Sequence, residues 1–291
     1  MLPGILRAAM VAMLIWLSTL ASAAEPEPAL TFHAGKLAQI DAAISLAISD
    51  GRCPGGVVWI ERRGAAYHRA LGDRALEPER EPMTEDTVFD AASLTKVIAT
   101  TTAVMKLVEQ GRVALDAQVS DYLPEFRGSG KEAITVRQLL THTSGLRAGL
   151  SGTPEWSGAD GALMRACAEP LPAAPGSMLR YSDINFILLG ELVGKVGGQP
   201  LDVFCAAEIF APLRMADTAF RPAESLRTRI APTARGTPLG VVHDPTARRM
   251  GGVAGHAGLF TTASDLARFA RMLLGRGTLD GVRILNTREK L

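Results

Sequence analysis

Ser93 and Lys96 are the first residues in this sequence whose types and spacing could do chemistry. A lysine three residues after a serine places an amine and a hydroxyl on one face of a helix. At a helix start, unpaired N–H groups and the positive end of the helix dipole surround that hydroxyl. Such a hydroxyl is a candidate activated nucleophile, although S-x-x-K also occurs by chance in many proteins.

Residues 89–96 (FDAASLTK) predict where this helix begins. Asp90 can cap the free amides of a first turn. Apolar residues then recur at helical spacing from Val97 to Val108, and Gly111 supplies the end. We therefore expect Asp90 to cap the helix and Ser93 to lie in its first turn.

Two later segments carry further polar side chains that could join this pair. They are residues 139–146 (LLTHTSGL) and residues 180–190 (RYSDINFILLG). Tyr181 lies just before a predicted helix start, at the edge of a helical region. From there a phenol could reach back to Ser93, whereas the alternative role is that of a half-buried aromatic residue.

The composition excludes several classes of function. The chain has 291 residues, of which 47% are hydrophobic and 21% charged, with a net charge of +1. This suits one large domain or two lobes and gives no basic patch for nucleic acid. Three widely spaced cysteines and five histidines without ligand spacing predict no disulfide framework, no metal and no cofactor.

The first 23 residues resemble a targeting segment. Arg7 is followed by an apolar run over residues 8–20, and small residues at 21–23 (ASA) form a cleavage pattern. The run is short for a membrane span, although an uncleaved anchor is the alternative. We expect an exported protein, periplasmic or secreted, with a mature domain over residues 24–291.

The surrounding pattern predicts a mixed α/β chain. A helix ends near Gly51, two strands meet at a turn at Arg63 and Gly64, and residues 112–235 form a helical lobe. A last helix begins after Thr262. Only two strands are convincing, and a lone hairpin needs partners. Either further strands are hidden in the middle of the chain or the sheet is incomplete.

Three motifs together resemble the serine β-lactamase-related family. They are residues 89–96, residues 141–146 (THTSGL) and residues 181–183 (YSD), in this order. Residues 251–269, including GGVAGHAGLF and DLARF, are similar to a later segment of the same family. That family contains class C β-lactamases, penicillin-binding proteins and β-lactamase-like esterases.

The resemblance implies a β-lactamase/transpeptidase-like fold, with an antiparallel sheet flanked by helices and a helical lobe. Ser93 would form an acyl-enzyme, and Lys96 and Tyr181 would share the removal of its proton. Free lysine and tyrosine side chains titrate near pH 10. Burial and a neighbouring positive charge could help Lys96 to act as the base. Which of the two is the base stays open.

Asp183 departs from the class C pattern, which has asparagine there. An ionised carboxylate only accepts hydrogen bonds, so a donor to a lactam side chain is lost. Its charge would also disfavour carboxylated substrates such as penicillins. We therefore expect Asp183 to shape the substrate pocket, and we favour an esterase or amide hydrolase over a true β-lactamase. The expected substrates are small esters, amides or β-lactams, with peptidoglycan as a further candidate.

The family's third motif, Lys/His/Trp-Thr/Ser-Gly, is expected on a strand after the last helix. Residues 256–258 (HAG) have a similar shape, but their surroundings match the segment before that helix. The resemblance therefore predicts a C-terminally shortened chain that lacks the last strands. His256 either lines the substrate pocket or is structural, and Asp244 either borders the pocket or begins a turn before Pro245.

Two alternatives to an esterase-like serine hydrolase remain at this point. One is a catalytically impaired fragment that binds peptidoglycan or β-lactam without turnover. The other is a penicillin-binding protein that cleaves D-Ala-D-Ala termini, because the same three motifs allow it.

Overall fold

A long antiparallel hairpin forms the first sheet of the computed structural model, which describes residues 32–286. Strands β1 (Gly55–Arg62) and β2 (Ala65–Ala75) pair throughout, and β3 (Glu81–Pro82) adds to β2. Arg63 and Gly64 both have positive φ, which suits a two-residue turn between twisted strands. The predicted hairpin is confirmed. The predicted targeting segment lies outside the described residues.

Helices from both ends of the described chain pack on this hairpin. Helix α1 (Ala34–Ser49) contacts both strands, and the Tyr67 hydroxyl of β2 donates a 2.6 Å hydrogen bond to Asp41 of α1. The last helix (Ala263–Leu274) contacts β1 and begins at Thr262, whose side chain accepts the Asp265 N–H. Both helices were predicted, and both are confirmed.

The remaining helices surround α5 (Asp183–Gly197), whose apolar residues form the centre of the core. The α-helices of the described chain that follow α1 are α2 (Thr102–Glu109), α3 (Val136–Leu140), α4 (Gly158–Ala168), α5, α6 (Leu201–Cys205), α7 (Pro245–Arg249) and α8 (Ala263–Leu274). The π-helical segments are Lys96–Thr101 and Ala206–Phe210, and the 3₁₀ turns are Val119–Asp121, Lys131–Ala133 and Glu224–Arg229.

Capping explains where α3 begins and where α5 begins and ends. Thr135 and Gln138 form a reciprocal capping box at the start of α3. The Ser182 side chain accepts the Asn185 N–H at the start of α5, and Gly198 ends it in a left-handed conformation. These local signals are visible in the sequence, and α5 begins just after Tyr181, as predicted.

Two further sheets of very short strands were missed from sequence. Strands β4 (Phe89–Asp90), β5 (Ala219–Phe220) and β6 (Leu259–Thr261) pair in the order β4-β6-β5, and β7 (Thr278–Leu279) pairs with β8 (Val282–Arg283). Strands of two or three residues are too short to display an alternating pattern. Of the two alternatives left open by the sequence, the one that further strands are hidden in the chain is therefore confirmed.

The predicted helix start at residues 89–96 needs a correction. Asp90 belongs to β4, and its carboxylate accepts N–H groups from Ala92 (2.8 Å) and His243 (2.7 Å) instead of capping a helix. Ser93 lies in a turn immediately before Leu94, where the helix begins and then continues through the π-helical segment Lys96–Thr101. The helix start therefore falls within the predicted residues, and only the capping role of Asp90 was wrong. The predicted end is confirmed, since α2 stops at Glu109 and Gly111 has a φ of 69°.

The predicted helical lobe, residues 112–235, consists of helices, loops and the short strand β5. Its limits as a separate unit, and those of the domain 24–291, stay predictions. Within residues 32–286, no helix combines the length and hydropathy that crossing a membrane requires.

Candidate active site

Ser93 and Lys96 meet as their spacing predicts. The Lys96 Nζ donates a 3.0 Å hydrogen bond to the Ser93 Oγ. The turn that sets this geometry is tight, since the Leu94 N–H donates to the Ala91 carbonyl and the Lys96 N–H donates to the Ser93 carbonyl. Ser93 is exposed, whereas only 4% of the Lys96 side chain is accessible. The amine therefore approaches the hydroxyl from inside the protein.

Two further oxygens complete the surroundings of the Lys96 amine. The Nζ lies 2.7 Å from the Asp183 Oδ1, at the start of α5, and donates a 3.0 Å hydrogen bond to the His256 carbonyl, just before β6. An ammonium has three protons, and these two partners and Ser93 accept all of them. The charged side chain beside the Nζ is therefore the carboxylate of Asp183. The expectation that a positive neighbour would favour the neutral amine was wrong.

Tyr181 reaches the site with its ring. The Lys96 Nζ lies 4.8 Å from the centroid of the Tyr181 ring and 5.8 Å from that of Phe186. These are cation–π distances. Tyr181 is 50% exposed, and its hydroxyl has no hydrogen-bond partner within residues 32–286. The structure thus brings Tyr181 to Lys96, and a role for its phenol in proton transfer stays a prediction.

His256 contributes its backbone carbonyl to the site, whereas its side chain is buried in the protein. The ring is 1% exposed, and its Nε2 lies 2.9 Å from the Asp244 Oδ1. Burial raises the pKa of Asp244, but hydrogen bonds from His256 and the Ala247 N–H outweigh this and lower it to about 2. The expectation that the His256 side chain lines the substrate pocket was wrong, because the ring is inaccessible.

Asp244 has two tasks that sequence reasoning did not separate. It holds His256, and its side chain caps helix α7 by accepting the Ala247 N–H. The Asp-Pro dipeptide was the available signal, since proline is frequent at the first position of a helix. Asp244 therefore helps to hold the segment before β6, in which the His256 carbonyl accepts a hydrogen bond from Lys96.

Asp183, Asp244 and His256 could also be considered as metal ligands. Each offers one ligand atom, and these atoms lie within 4.8 Å of one another. In this arrangement Asp183 already pairs with the Lys96 ammonium, and Asp244 already pairs with His256. A metal ion here would have to displace the lysine from its position beside Ser93.

The residues of the THTSGL segment connect α3 to α5 under the site. The Ser144 hydroxyl donates to the Asn185 side chain at 2.6 Å, and the Asn185 amide donates to the Leu139 carbonyl at 3.1 Å. His142 contacts the Tyr181 ring at 4.5 Å and the Phe186 ring at 5.2 Å between centroids. Sequence reasoning assigned His142 no role, although the motif that contains it was the available signal.

A family model described as Beta-lactamase matches residues 34–290. The chain belongs to this beta-lactamase family. It is 33% identical to an N-acetylmuramyl-L-alanine amidase from Bacillus subtilis, over 88% of this chain and 66% of the amidase. It is 37% identical to esterase EstB from Burkholderia gladioli, over 71% of this chain and 57% of the esterase.

Solved structures of the beta-lactamase family share the fold. The class C beta lactamase from Rhodobacter sphaeroides superposes with a TM-score of 0.69 at 26% identity, over 83% of this chain and 67% of that one. The predicted family and the β-lactamase/transpeptidase-like fold are therefore confirmed. The chain spans about two thirds or less of the length of the amidase and the esterase.

Proposed function

We propose that this chain carries the nucleophile of an exported serine hydrolase that acts through an acyl-enzyme at Ser93. The observation that carries the proposal is the 3.0 Å contact between the Ser93 Oγ and a buried Lys96 Nζ that is held by Asp183. A hydroxyl that is exposed to substrate and backed by a buried amine has the geometry of an activated nucleophile. Membership of a family whose relatives include hydrolases supports the same conclusion.

The proposed reaction has two halves. The Ser93 Oγ attacks the substrate carbonyl carbon and loses its proton, and the carbonyl oxygen becomes an oxyanion. The bond to the leaving group then breaks, and the leaving group takes up the proton. In the second half, water attacks the acyl carbon, releases the acid and restores the Ser93 hydroxyl.

The base in this reaction is Lys96, Tyr181 or both. An ammonium has no lone pair, so Lys96 can accept a proton only in its neutral form. The Tyr181 phenol, whose ring lies against Lys96, is the other group available. The Ser93 N–H has no hydrogen-bond partner within residues 32–286 and is free to donate to the oxyanion. One such donor lowers the activation free energy by about 3 kcal/mol.

An ester or an uncharged amide is the favoured substrate. The Asp183 side chain is occupied by Lys96 and, as a carboxylate, offers no donor to a lactam side chain. The name of the EstB relative supports esterase activity. The name of the amidase relative supports a second candidate substrate, a cell-wall amide or peptide bond. The similarity to a class C beta lactamase is the reason to test a β-lactam as well.

The test compares substrates and serine variants. Wild type, Ser93→Ala and the exposed control Ser49→Ala would be assayed with a chromogenic short-chain ester, a chromogenic cephalosporin and a D-Ala-D-Ala peptide. We expect ester hydrolysis by wild type and the control, and none by Ser93→Ala. Equal rates for wild type and Ser93→Ala would overturn the proposal. Labelling of Ser93 by a fluorophosphonate without turnover would favour a binding protein.

Export is the remaining part of the proposal. It rests on the charge, apolar run and small residues within residues 1–23. We expect cell fractionation to find the protein outside the cytoplasm, with a mature N-terminus at residue 24. A cytoplasmic protein that retains residues 1–23 would contradict it.

A further inference from the structure

We infer that His142 is a positioning residue for Tyr181, which it holds through the backbone on both sides and through its own ring. The inference rests on the proposed function, because it gives Tyr181 a defined place beside the Ser93 nucleophile. No catalytic contact is assigned to His142 itself.

The backbone contacts enclose Tyr181 from both sides. The Arg180 N–H donates a 2.8 Å hydrogen bond to the His142 carbonyl, and the Ser182 N–H donates a 3.1 Å bond to the His142 Nδ1. These are the residues immediately before and after Tyr181. One histidine therefore fixes the path of the chain on each side of the tyrosine.

The ring contact sets the direction of the Tyr181 side chain. The two ring centroids lie 4.5 Å apart at an interplanar angle of 33°. The Tyr181 ring also meets the Lys96 amine, which lies 4.8 Å from the ring centroid. The tyrosine is half exposed, so the histidine supplies the packing that would otherwise be missing on one side.

His142 is held in an unusual conformation in order to make these contacts. Its φ is 58°, in the left-handed region that residues with a side chain rarely adopt. The Thr143 N–H donates to the Gln138 carbonyl at 2.9 Å, and Gln138 is part of the α3 capping box. Strain of this kind persists where the surrounding structure enforces it, often at functional sites.

The Ser182 contact requires a neutral His142. The Nδ1 accepts a hydrogen bond, so the proton of the ring is on Nε2, and a second proton would turn Nδ1 into a donor facing an N–H. Burial lowers the pKa of His142, the Lys96 charge lowers it further, and Asp183 partly opposes them. The contact is therefore intact at neutral pH and is lost on acidification below the usual histidine range, near 6.5.

Two amide variants distinguish the hydrogen bond from the Ser182 N–H from a general effect of a polar side chain at position 142. An asparagine oxygen stands two bonds from Cβ, as Nδ1 does, so His142→Asn can still accept the Ser182 N–H and cannot titrate. A glutamine oxygen stands one bond further out, so His142→Gln keeps the polarity and misplaces the acceptor. The rate of Ser93 labelling by a fluorophosphonate, and kcat and KM for an ester, would be measured from pH 4.5 to 8.

We expect the wild-type labelling rate to fall as the pH drops below about 6.5. His142→Asn should label within about tenfold of wild type at pH 7 and should lose the acidic decline. His142→Gln should label up to about 100-fold more slowly than wild type at every pH, because a small misplacement of a reacting group slows a reaction by about this factor. For the ester, its kcat should change more than its KM. Equal rates for the two variants, or an unchanged acidic decline in His142→Asn, would overturn the inference.

A second measurement does not depend on the variants or on activity. Nitrogen-15 NMR of the wild-type His142 ring should show a proton on Nε2 at pH 7, and the Ser182 amide signal should shift as the ring titrates. A proton on Nδ1 at pH 7 would overturn the inference. A folded wild-type protein that no fluorophosphonate labels would instead overturn the proposed function, while the NMR result still decides whether the Tyr181 contacts exist.

Discussion

The Asp183 carboxylate lies 2.7 Å from the Lys96 amine and joins the first turn of α5 to the π-helical segment that follows Ser93. Asp183 also has the favourable position of an acid at a helix N-terminus. The side chain of Lys96 is 4% exposed and that of Asp183 is 32% exposed, so the pair is largely shielded from water. The same contact links the helical core to the turn that presents the serine.

Replacing Asp183 with alanine should destabilise the protein more than replacing it with asparagine, which removes the charge but keeps a hydrogen-bond acceptor. We expect Asp183→Ala to lower the free energy of unfolding by about 3 kcal/mol, because it leaves the buried Lys96 charge unpaired. Asp183→Asn should cost less, because the amide oxygen can still accept from Lys96. Urea unfolding would measure both.

The exposed ion pair between Asp116 and Arg137 provides the matched control for this prediction. Surface pairs of this type contribute little to stability, so Asp116→Ala should be close to neutral. If Asp183→Ala were as mild as Asp116→Ala, the pair with Lys96 would not be a stabilising element.

Gly255 should not tolerate a side chain. A Cβ there would lie 1.9 Å from the Phe186 carbonyl oxygen and 3.0 Å from the Gly190 backbone N. Gly255→Ala would therefore separate α5 from the segment that carries the His256 carbonyl. We expect a loss of about 4 kcal/mol or failure to fold. Gly149→Ala is the control, since a Cβ at Gly149 meets nothing within 4 Å. Similar melting temperatures for the two variants would contradict this close approach.

Asp244 should make stability depend on pH in the acidic range. Folding lowers its pKa to about 2, so the native state releases a proton that the unfolded chain still binds near pH 3. Its contribution, about 2 kcal/mol, is complete above about pH 5 and is lost progressively as the pH falls towards 2. Urea unfolding between pH 2.5 and 7 should show this decline in wild type and a flatter profile in Asp244→Asn. Parallel profiles would refute the assignment.

Glu191 on α5 should make stability fall as the pH rises, the opposite of the effect of Asp244. Burial raises its pKa, and the charge of Asp160 raises it further. The native state therefore holds a proton more tightly than the unfolded chain, and its favourable contribution is lost as the pH rises through the raised value. Glu191→Gln should stabilise the protein at pH 8 and have little effect at pH 4. Exposed Glu155→Gln is the control, and equal changes in melting temperature would count against burial as the cause.

Local signals explain which elements could be predicted. The hairpin was visible because β1 and β2 are long and meet at Arg63 and Gly64, and α3 was visible because its capping box lies within four residues. Strand β4 was misread as a helix start. Asp90 is a good capping residue in isolation, and its actual partners include the N–H of His243, far along the chain.

The sequence by itself determined that Ser93 and Lys96 lie close enough to touch, because the tight turn between them fixes the spacing of their backbones. It also determined the family, through the order of the three motifs. Only the tertiary structure decided what the lysine faces and what holds the tyrosine. The pairing of Asp183 with Lys96 and the contacts of His142 around Tyr181 join segments far apart in the chain, and the packing of α5 against its neighbours creates them. No local hydrogen-bond pattern encodes such contacts, so only the folded chain displays them.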